Sequence, residues 1–381
     1  MDTYLLELSR SQLIAAWNKS RFNKYSDNRK ALFHESLNNL YSKLFEVDFE
    51  KVPEFLHPIH RDAMNFFVKS ISDLDNNTVS VIPHEMIECL NIAAREWITN
   101  YDQYIIVMGD GPYAIQPNAN QIAPFYNTIK QCFGVDFNHK LLHVNMPKHL
   151  FRDYLTNVVL YHELGHFIDV EYKITEAVAI QVCNLWANNQ YRSEIDSYFN
   201  CLYPLYINRN SQRIIPISTI SYIREYIADL FASQYVKDNV INYLVYEQGD
   251  LANNQFPTHP SLTQRLQMIC DFISGNSNVL LDLIQSVFQQ ITSQKLSIRY
   301  TDLSPDDFYS LVPLELENES DIHSIFVLGW DLFKTGSKPF EERNGMQEGL
   351  FSGQLYEIIN NLIEKSINNY LMLRDWNHIK P

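Results

Sequence analysis

The chain has 381 residues, 46% of them apolar, with 22 Phe and 23 Tyr. That supplies one large or two ordinary hydrophobic cores and excludes a disordered protein. A formal charge of −15 disfavours nucleic acid and anionic membrane surfaces as partners, because both are bound through basic patches.

Only 11 Gly speaks against many tight β turns, so the expected fold is mainly α. The five cysteines (Cys89, Cys132, Cys183, Cys201 and Cys270) are odd in number and show no C-x-x-C spacing. They read as buried or free thiols in a reducing compartment. The N-terminus lacks a basic segment followed by an apolar one, so no signal peptide is expected. No apolar run approaches the roughly 20 residues of a membrane span. The reading is a soluble, cytoplasmic protein.

In chain order, residues 9–48 carry helical periodicity through Leu13, Ile14 and Trp17, then Leu37, Leu40, Leu44 and Phe45. Ser11 is the expected N-cap of the first segment. Pro53, Pro58 and Pro83 bound or interrupt helical runs. His57 and His60 flank Pro58 and read as exposed loop residues. His84-Glu85-Met86-Ile87-Glu88 opens like a metal motif but lacks the second His, and reads as an ordinary helix. Residues 104–109 and 140–146 are short apolar runs expected as strands, with a short helix from Pro124 to Cys132 between them. A helix is predicted over about 151–170 and another over about 219–236. Pro257 and Pro260 bracket a turn, and a third helix follows from about Leu262. Apolar stripes at Leu280, Leu283, Ile284, Val287, Phe288 and Ile291, and at Leu355, Ile358, Ile359, Leu362, Tyr370 and Leu371, predict further helices.

The predicted 151–170 helix contains His162-Glu163-Leu164-Gly165-His166. Histidines four residues apart share one helical face, so both imidazoles can reach one Zn²⁺. Glu163 flanks that face, where its carboxylate can take a proton from water polarised by the metal. A catalytic zinc needs a third protein ligand. Asp169 lies about one turn beyond His166 and is better placed to hydrogen-bond a ligand or to stand exposed. Tyr172 occupies the position at which the long metzincin pattern has its third His. Glu225, in Arg224-Glu225-Tyr226-Ile227-Ala228-Asp229-Leu230-Phe231-Ala232, can complete a His-His-Glu site. Asp229, one turn on, can accept the other ring N–H of a ligand histidine. Two solvated carboxylates on an amphipathic helix is the competing reading, and the otherwise apolar helix weighs against it.

With Thr258-His259-Pro260-Ser261-Leu262-Thr263-Gln264-Arg265-Leu266 as a third block, residues of about 150–270 resemble the gluzincin metallopeptidases. The closest resemblance is to the family of HtpX and the CAAX prenyl endopeptidase. The shorter E-x-x-A-x-x-F-A pattern is also similar to that of the ImmA/IrrE regulatory proteases. The resemblance implies His162, His166 and Glu225 as zinc ligands, Glu163 as catalytic base and Asp229 as partner of a ligand histidine. It further implies His259 near the reacting carbonyl and Arg265 as a structural or charge-pairing residue. Those relatives are commonly membrane-embedded, whereas no span is read here, so their membrane substrates do not carry over.

The expected architecture is mainly α (α+β), a zincin-like core over 101–272 with a small sheet. Helical regions 1–100 and 273–381 flank it. The 140–146 strand is expected to be an edge strand that binds substrate by strand addition. The expected function is a zinc-dependent peptidase, an endopeptidase by preference, with one Zn²⁺ per chain and protein or peptide substrates. The alternative is a zincin-derived regulatory or binding protein with a structural or latent zinc site. An intact Glu163 favours the enzyme.

Overall fold

The computed structural model describes residues 3–25, 27–76, 83–117, 123–187, 191–199, 206–207, 213–214, 217–248, 259–347 and 349–379. The fold is mainly α with a small three-stranded sheet. The turn expected around Pro257, and Cys201, lie outside the described residues. The other four cysteines are free thiols. No helix among the described residues is long and apolar enough to cross a membrane. Two compact units are present, Met1–Pro83 with Thr99–Lys148, and His84–Ile98 with His149–Pro381.

The first unit contains helices α1 (Thr3–Ser20), α2 (Asn28–Phe45) and α3 (His57–Asn76), set apart in the chain from the rest by α4 (His84–Trp97) of the other unit. Strands β1 (Tyr104–Asp110) and β2 (Ala114–Pro117), helix α5 (Ala123–Phe133) and strand β3 (Lys140–Met146) complete it. Helix α1 begins well before Ser11, because Leu6 continues the buried stripe of Leu13 and Trp17. Ser11 is therefore no cap; its hydroxyl donates to the Glu7 carbonyl within the helix, 2.9 Å away. The α1–α3 core is aromatic: Trp17 stacks on Tyr41 at 5.4 Å, and Phe66 meets Phe137 edge-on at 5.3 Å. His57 and His60 are not exposed loop residues. Pro58 sits in the first turn of α3, where a missing N–H costs nothing. Both imidazoles are buried there and reach separate carbonyls, His57 that of Val52 at 3.1 Å and His60 that of Leu56 at 2.9 Å.

The sheet order is β1-β3-β2. β1 runs parallel to β3 from Tyr104↔Lys140 to Asp110↔Met146, and β2 runs antiparallel to it from Ala114↔Asn145 to Pro117↔Leu142. β3 is thus the central strand, hydrogen-bonded on both sides from Leu142 to Asn145. It has no free edge there for a substrate to join, which overturns the expectation of an edge strand at 140–146. Gly109 pairs with Asn145 in this register, and a Cβ on it would stand 2.1 Å from the Asn145 Oδ1. A side chain at 109 would have to push the Asn145 amide aside.

The second unit is helical, formed by α4 with α6 (Val159–Tyr172), α7 (Ile174–Ala187), α8 (Arg192–Tyr198), α9 (Ile217–Val236), α10 (Asn239–Gln248) and α11 (Leu262–Ser274). A two-stranded pair, β4 (Tyr206–Ile207) and β5 (Arg213–Ile214), precedes α9. Helices α12 (Val279–Thr292), α13 (Asp306–Tyr309), α14 (Glu319–Thr335), α15 (Lys338–Asn344) and α16 (Ser352–Ile379) follow. The helix expected over 151–170 starts only at Val159, after a single 3-10 turn at Thr156–Val158.

Candidate metal centre

Helix α6 carries His162, Glu163 and His166, and helix α9 carries Glu225 and Asp229. What brings them together is small side chains. Gly165 faces Ala228 so closely that a Cβ on the glycine would lie 2.8 Å from the Ala228 Cα and 3.0 Å from the Phe231 Cβ. Two helices in contact at this distance bring short Glu and Asp side chains within reach of imidazoles on the facing helix.

His162, His166 and Glu225 form the group of potential metal donors found among the described residues, with one atom of each within 4.8 Å of the others. Glu225 Oε2 is 3.5 Å from His162 Nε2, and Glu225 Oε1 is 3.5 Å from His166 Nε2. The two rings meet at 80° with centroids 4.5 Å apart. Ligands about 2.0–2.1 Å from a tetrahedral ion are separated by roughly 3.4 Å. The donor set of two imidazoles and a carboxylate, at this spacing, fits zinc.

Behind the cluster lies a buried charge network. His162 Nδ1 is 2.9 Å from Asp229 Oδ1. Arg265 of α11 donates to both oxygens of Asp229, from Nε at 2.7 Å and from Nη2 at 2.6 Å, and its Nη2 also lies 3.4 Å from Glu225 Oε2. Asp229 and Arg265 are buried. Burial opposes ionisation of Asp229, yet the Arg265 guanidinium and His162 hold its carboxyl below the usual range. The same contest favours the Glu225 carboxylate, where burial is outweighed by the His162 imidazole 3.5 Å away and by the neighbouring cations. Without a metal, burial pulls His162 down while Asp229 and Glu225 lift it further, to about 9. Burial and the neighbouring His162 charge press His166 to about 3.

His259 stands just before α11. Its Nε2 is 3.5 Å from Glu225 Oε1, and 45% of its side chain is exposed. It therefore flanks the cluster on the solvent side. Glu163 is half-buried on α6. Asp169 belongs to neither alternative read from the sequence. It is buried and accepts the Thr175 backbone N–H at 2.6 Å and the Thr175 hydroxyl at 2.7 Å, tying the start of α7 to α6.

Three contributions were not read from the sequence. Gly165 and Ala228 were legible as a small residue in each motif, had helix contact been considered. The hydrogen bond between the Tyr161 hydroxyl and His323 Nδ1 (2.7 Å) and the contacts of Asn360 with Tyr154 and Leu155 had no local signal. Those partners lie far away in the chain.

Residues 150–272 match the model of Peptidase family M48, a gluzincin-type metallopeptidase family. The matched segment contains every residue of the cluster. No curated protein and no solved structure matches the chain.

Proposed function

We propose, with the family match of residues 150–272 as premise, that this chain is an endopeptidase holding one zinc ion through His162, His166 and Glu225. The observation that carries the reading is that the two oxygens of Glu225 each lie 3.5 Å from the Nε2 of a different histidine. Hydrogen bonds are shorter than this; the edge of a zinc coordination tetrahedron is close to it.

Bound zinc supplies a Lewis acid that polarises a peptide carbonyl and acidifies the attacking water. Glu163 takes the proton from that water and delivers it to the leaving amine. Asp229 accepts the Nδ1–H of His162, the tautomer in which Nε2 would be free to hold zinc. Arg265 compensates the buried charge of Asp229 and Glu225. His259, exposed at the rim, is assigned to the neighbourhood of the reacting carbonyl. The substrates are proteins or peptides.

Glu163→Gln tests the assignment, since Gln has nearly the same shape and cannot accept the proton. Elemental analysis should find zinc in both proteins, with cleavage of a peptide library reduced roughly 10²–10⁴-fold in the variant. Equal cleavage by the two proteins would rule out Glu163 as base. Zinc in both and cleavage by neither would favour a regulatory or binding protein.

A further inference from the structure

The chain entering the metal helix is unusual for a turn. Tyr154, Leu155, Asn157 and Val158 are fully buried, so water cannot satisfy their backbone groups. The residues in N-cap positions, Leu155 and Val158, supply no capping side chain. The Asn157 N–H goes to the nearby Asp153 carbonyl at 3.0 Å, but the partners of Tyr154 and Leu155 come from α14 and α16, beyond the segment that matches the peptidase family. Asn360 Oδ1 accepts the backbone N–H of both Tyr154 (2.8 Å) and Leu155 (3.2 Å). Tyr356 donates its hydroxyl to Asp153 Oδ1 at 2.5 Å, and the same oxygen accepts the Thr156 N–H at 3.1 Å. Glu364 pairs with Arg152 at 3.2 Å. Trp330 Nε1 donates to the Leu155 carbonyl at 2.9 Å.

Tyr356, Asn360 and Glu364 are spaced by four, so they form one stripe along α16. Between them they hold four consecutive residues, 152–155: Glu364 holds Arg152, Tyr356 holds Asp153, and Asn360 holds Tyr154 and Leu155. Among these contacts Asn360 alone takes two buried backbone donors, and it is itself buried. Val159 opens α6 only four residues after Leu155, and His162 follows one turn later.

We infer that Asn360 is a positioning residue for the metal centre, a cap supplied from α16 that fixes where and in what direction the metal helix begins. The inference rests on the zinc reading proposed above. Loss of the cap lets the first turn of α6 shift, and His162 is displaced relative to Glu225 on α9. A site that needs three donors at fixed separations then binds its ion less tightly, even in a protein that remains folded.

The test is the zinc dissociation constant of the full chain, measured by competition with a chromophoric chelator at a temperature where every protein compared is folded. Asn360→Ala should weaken zinc binding by roughly 2- to 30-fold, the range for a residue coupled to a site it does not touch. Asn360→Asp keeps the acceptor and should recover most of the affinity. Ser366→Ala is the stability control. Ser366 lies on the same helix and its hydroxyl accepts the Leu314 N–H at 2.9 Å, away from the turn. It should lower the melting temperature while leaving zinc affinity unchanged. If Asn360→Ala fails to fold, Tyr356→Phe removes only the hydroxyl on Asp153 and should show a smaller weakening. Zinc affinity equal to the parent's in whichever variant folds, or a loss equal to that of Ser366→Ala, overturns the inference alone. A parent chain that binds no zinc overturns the metal reading and this inference with it.

Discussion

Gly165 of the metal helix packs directly against Ala228 of its partner, with no room for even one further carbon between them. The clash partners of a Cβ at 165 are the Ala228 Cα and carbonyl oxygen and the Phe231 Cβ, at 2.8, 3.1 and 3.0 Å. None of these is the end of a flexible side chain, so relief requires the helices to separate. Gly165→Ala should therefore destabilise the protein by about 1–3 kcal/mol and lower its zinc content, read by thermal unfolding and elemental analysis. Ala228→Gly should not rescue it, because the nearest atom is backbone. Parent-like stability in Gly165→Ala would show that the helices are held apart by less than this geometry requires.

The Asp229–Arg265 pair makes a different prediction. Asp229 is the shared acceptor for a buried guanidinium and for His162. Asp229→Ala leaves a buried cation without its main partner, a loss of about 3–5 kcal/mol. It also frees the imidazole to rotate or change tautomer, and zinc affinity should drop roughly 10- to 100-fold. Chelator competition and denaturant unfolding separate the two effects. Unchanged affinity in a folded Asp229→Ala protein would mean that His162 is oriented by other contacts.

In the first unit, His143 Nε2 on β3 stands 3.3 Å from Asp73 Oδ2 on α3. Burial, helped by the Lys69 charge, lowers His143 to about 4. Burial raises Asp73 to about 6 against the opposing pull of Lys69. Between pH 4 and 6 the folded protein thus holds the proton on Asp73, whereas an unfolded chain holds it on His143. The two linkages cancel, and the pair adds almost no pH dependence in that window. Asp73→Asn removes one side of the balance. The depressed His143 then makes the variant lose stability as pH falls from about 6.5 towards 4, by up to about 1.4 kcal/mol per pH unit relative to the parent. His143→Gln should show the opposite sign, losing stability as pH rises from about 4 to 6. Denaturant midpoints across this range check both; parallel curves for parent and variants would show that burial does not displace the two groups in these directions.

What could be read from the sequence was what depends on spacing along one element. His162 with His166, and Glu225 with Asp229, are separated by one helical turn, and the periodicity that places them on α6 and α9 is local. Contact between those helices depends on Gly165 and Ala228, whose size matters only once the two elements are side by side. The central position of β3 was hidden for a similar reason. Its second neighbour, β2, is four residues long and ends in Pro117, too short to show a periodic signal. The late start of α6 also has a distant cause, since the N–H groups of Tyr154 and Leu155 go to Asn360. Burial of His57 and His60 followed from Pro58 opening a helix where the sequence suggested a loop.

The last prediction concerns residues 273–381, which lie beyond the family match yet within the same compact unit as the metal helix. Their attachments are buried and specific. The Tyr161 hydroxyl, one residue before His162, is hydrogen-bonded to His323 Nδ1 on α14; burial, reinforced by the Arg299 charge, presses that imidazole to about 3 and keeps it neutral. The Arg299 backbone N–H donates to the Gln234 carbonyl at 2.7 Å, and its guanidinium pairs with Glu96 of α4 at 2.6 Å. Removing the region would leave the Tyr161 hydroxyl, the Leu155 carbonyl and two backbone N–H groups without these partners. Each buried polar group so stranded costs about 1–3 kcal/mol, and their sum rivals the whole stability of an ordinary domain. A chain ending at Gly275 should therefore fail to fold or to retain zinc. Limited proteolysis of the full chain should yield no stable zinc-bound fragment of about 150–275. A folded, zinc-binding fragment with parent-like cleavage of peptides would show that the metal helix needs none of these contacts.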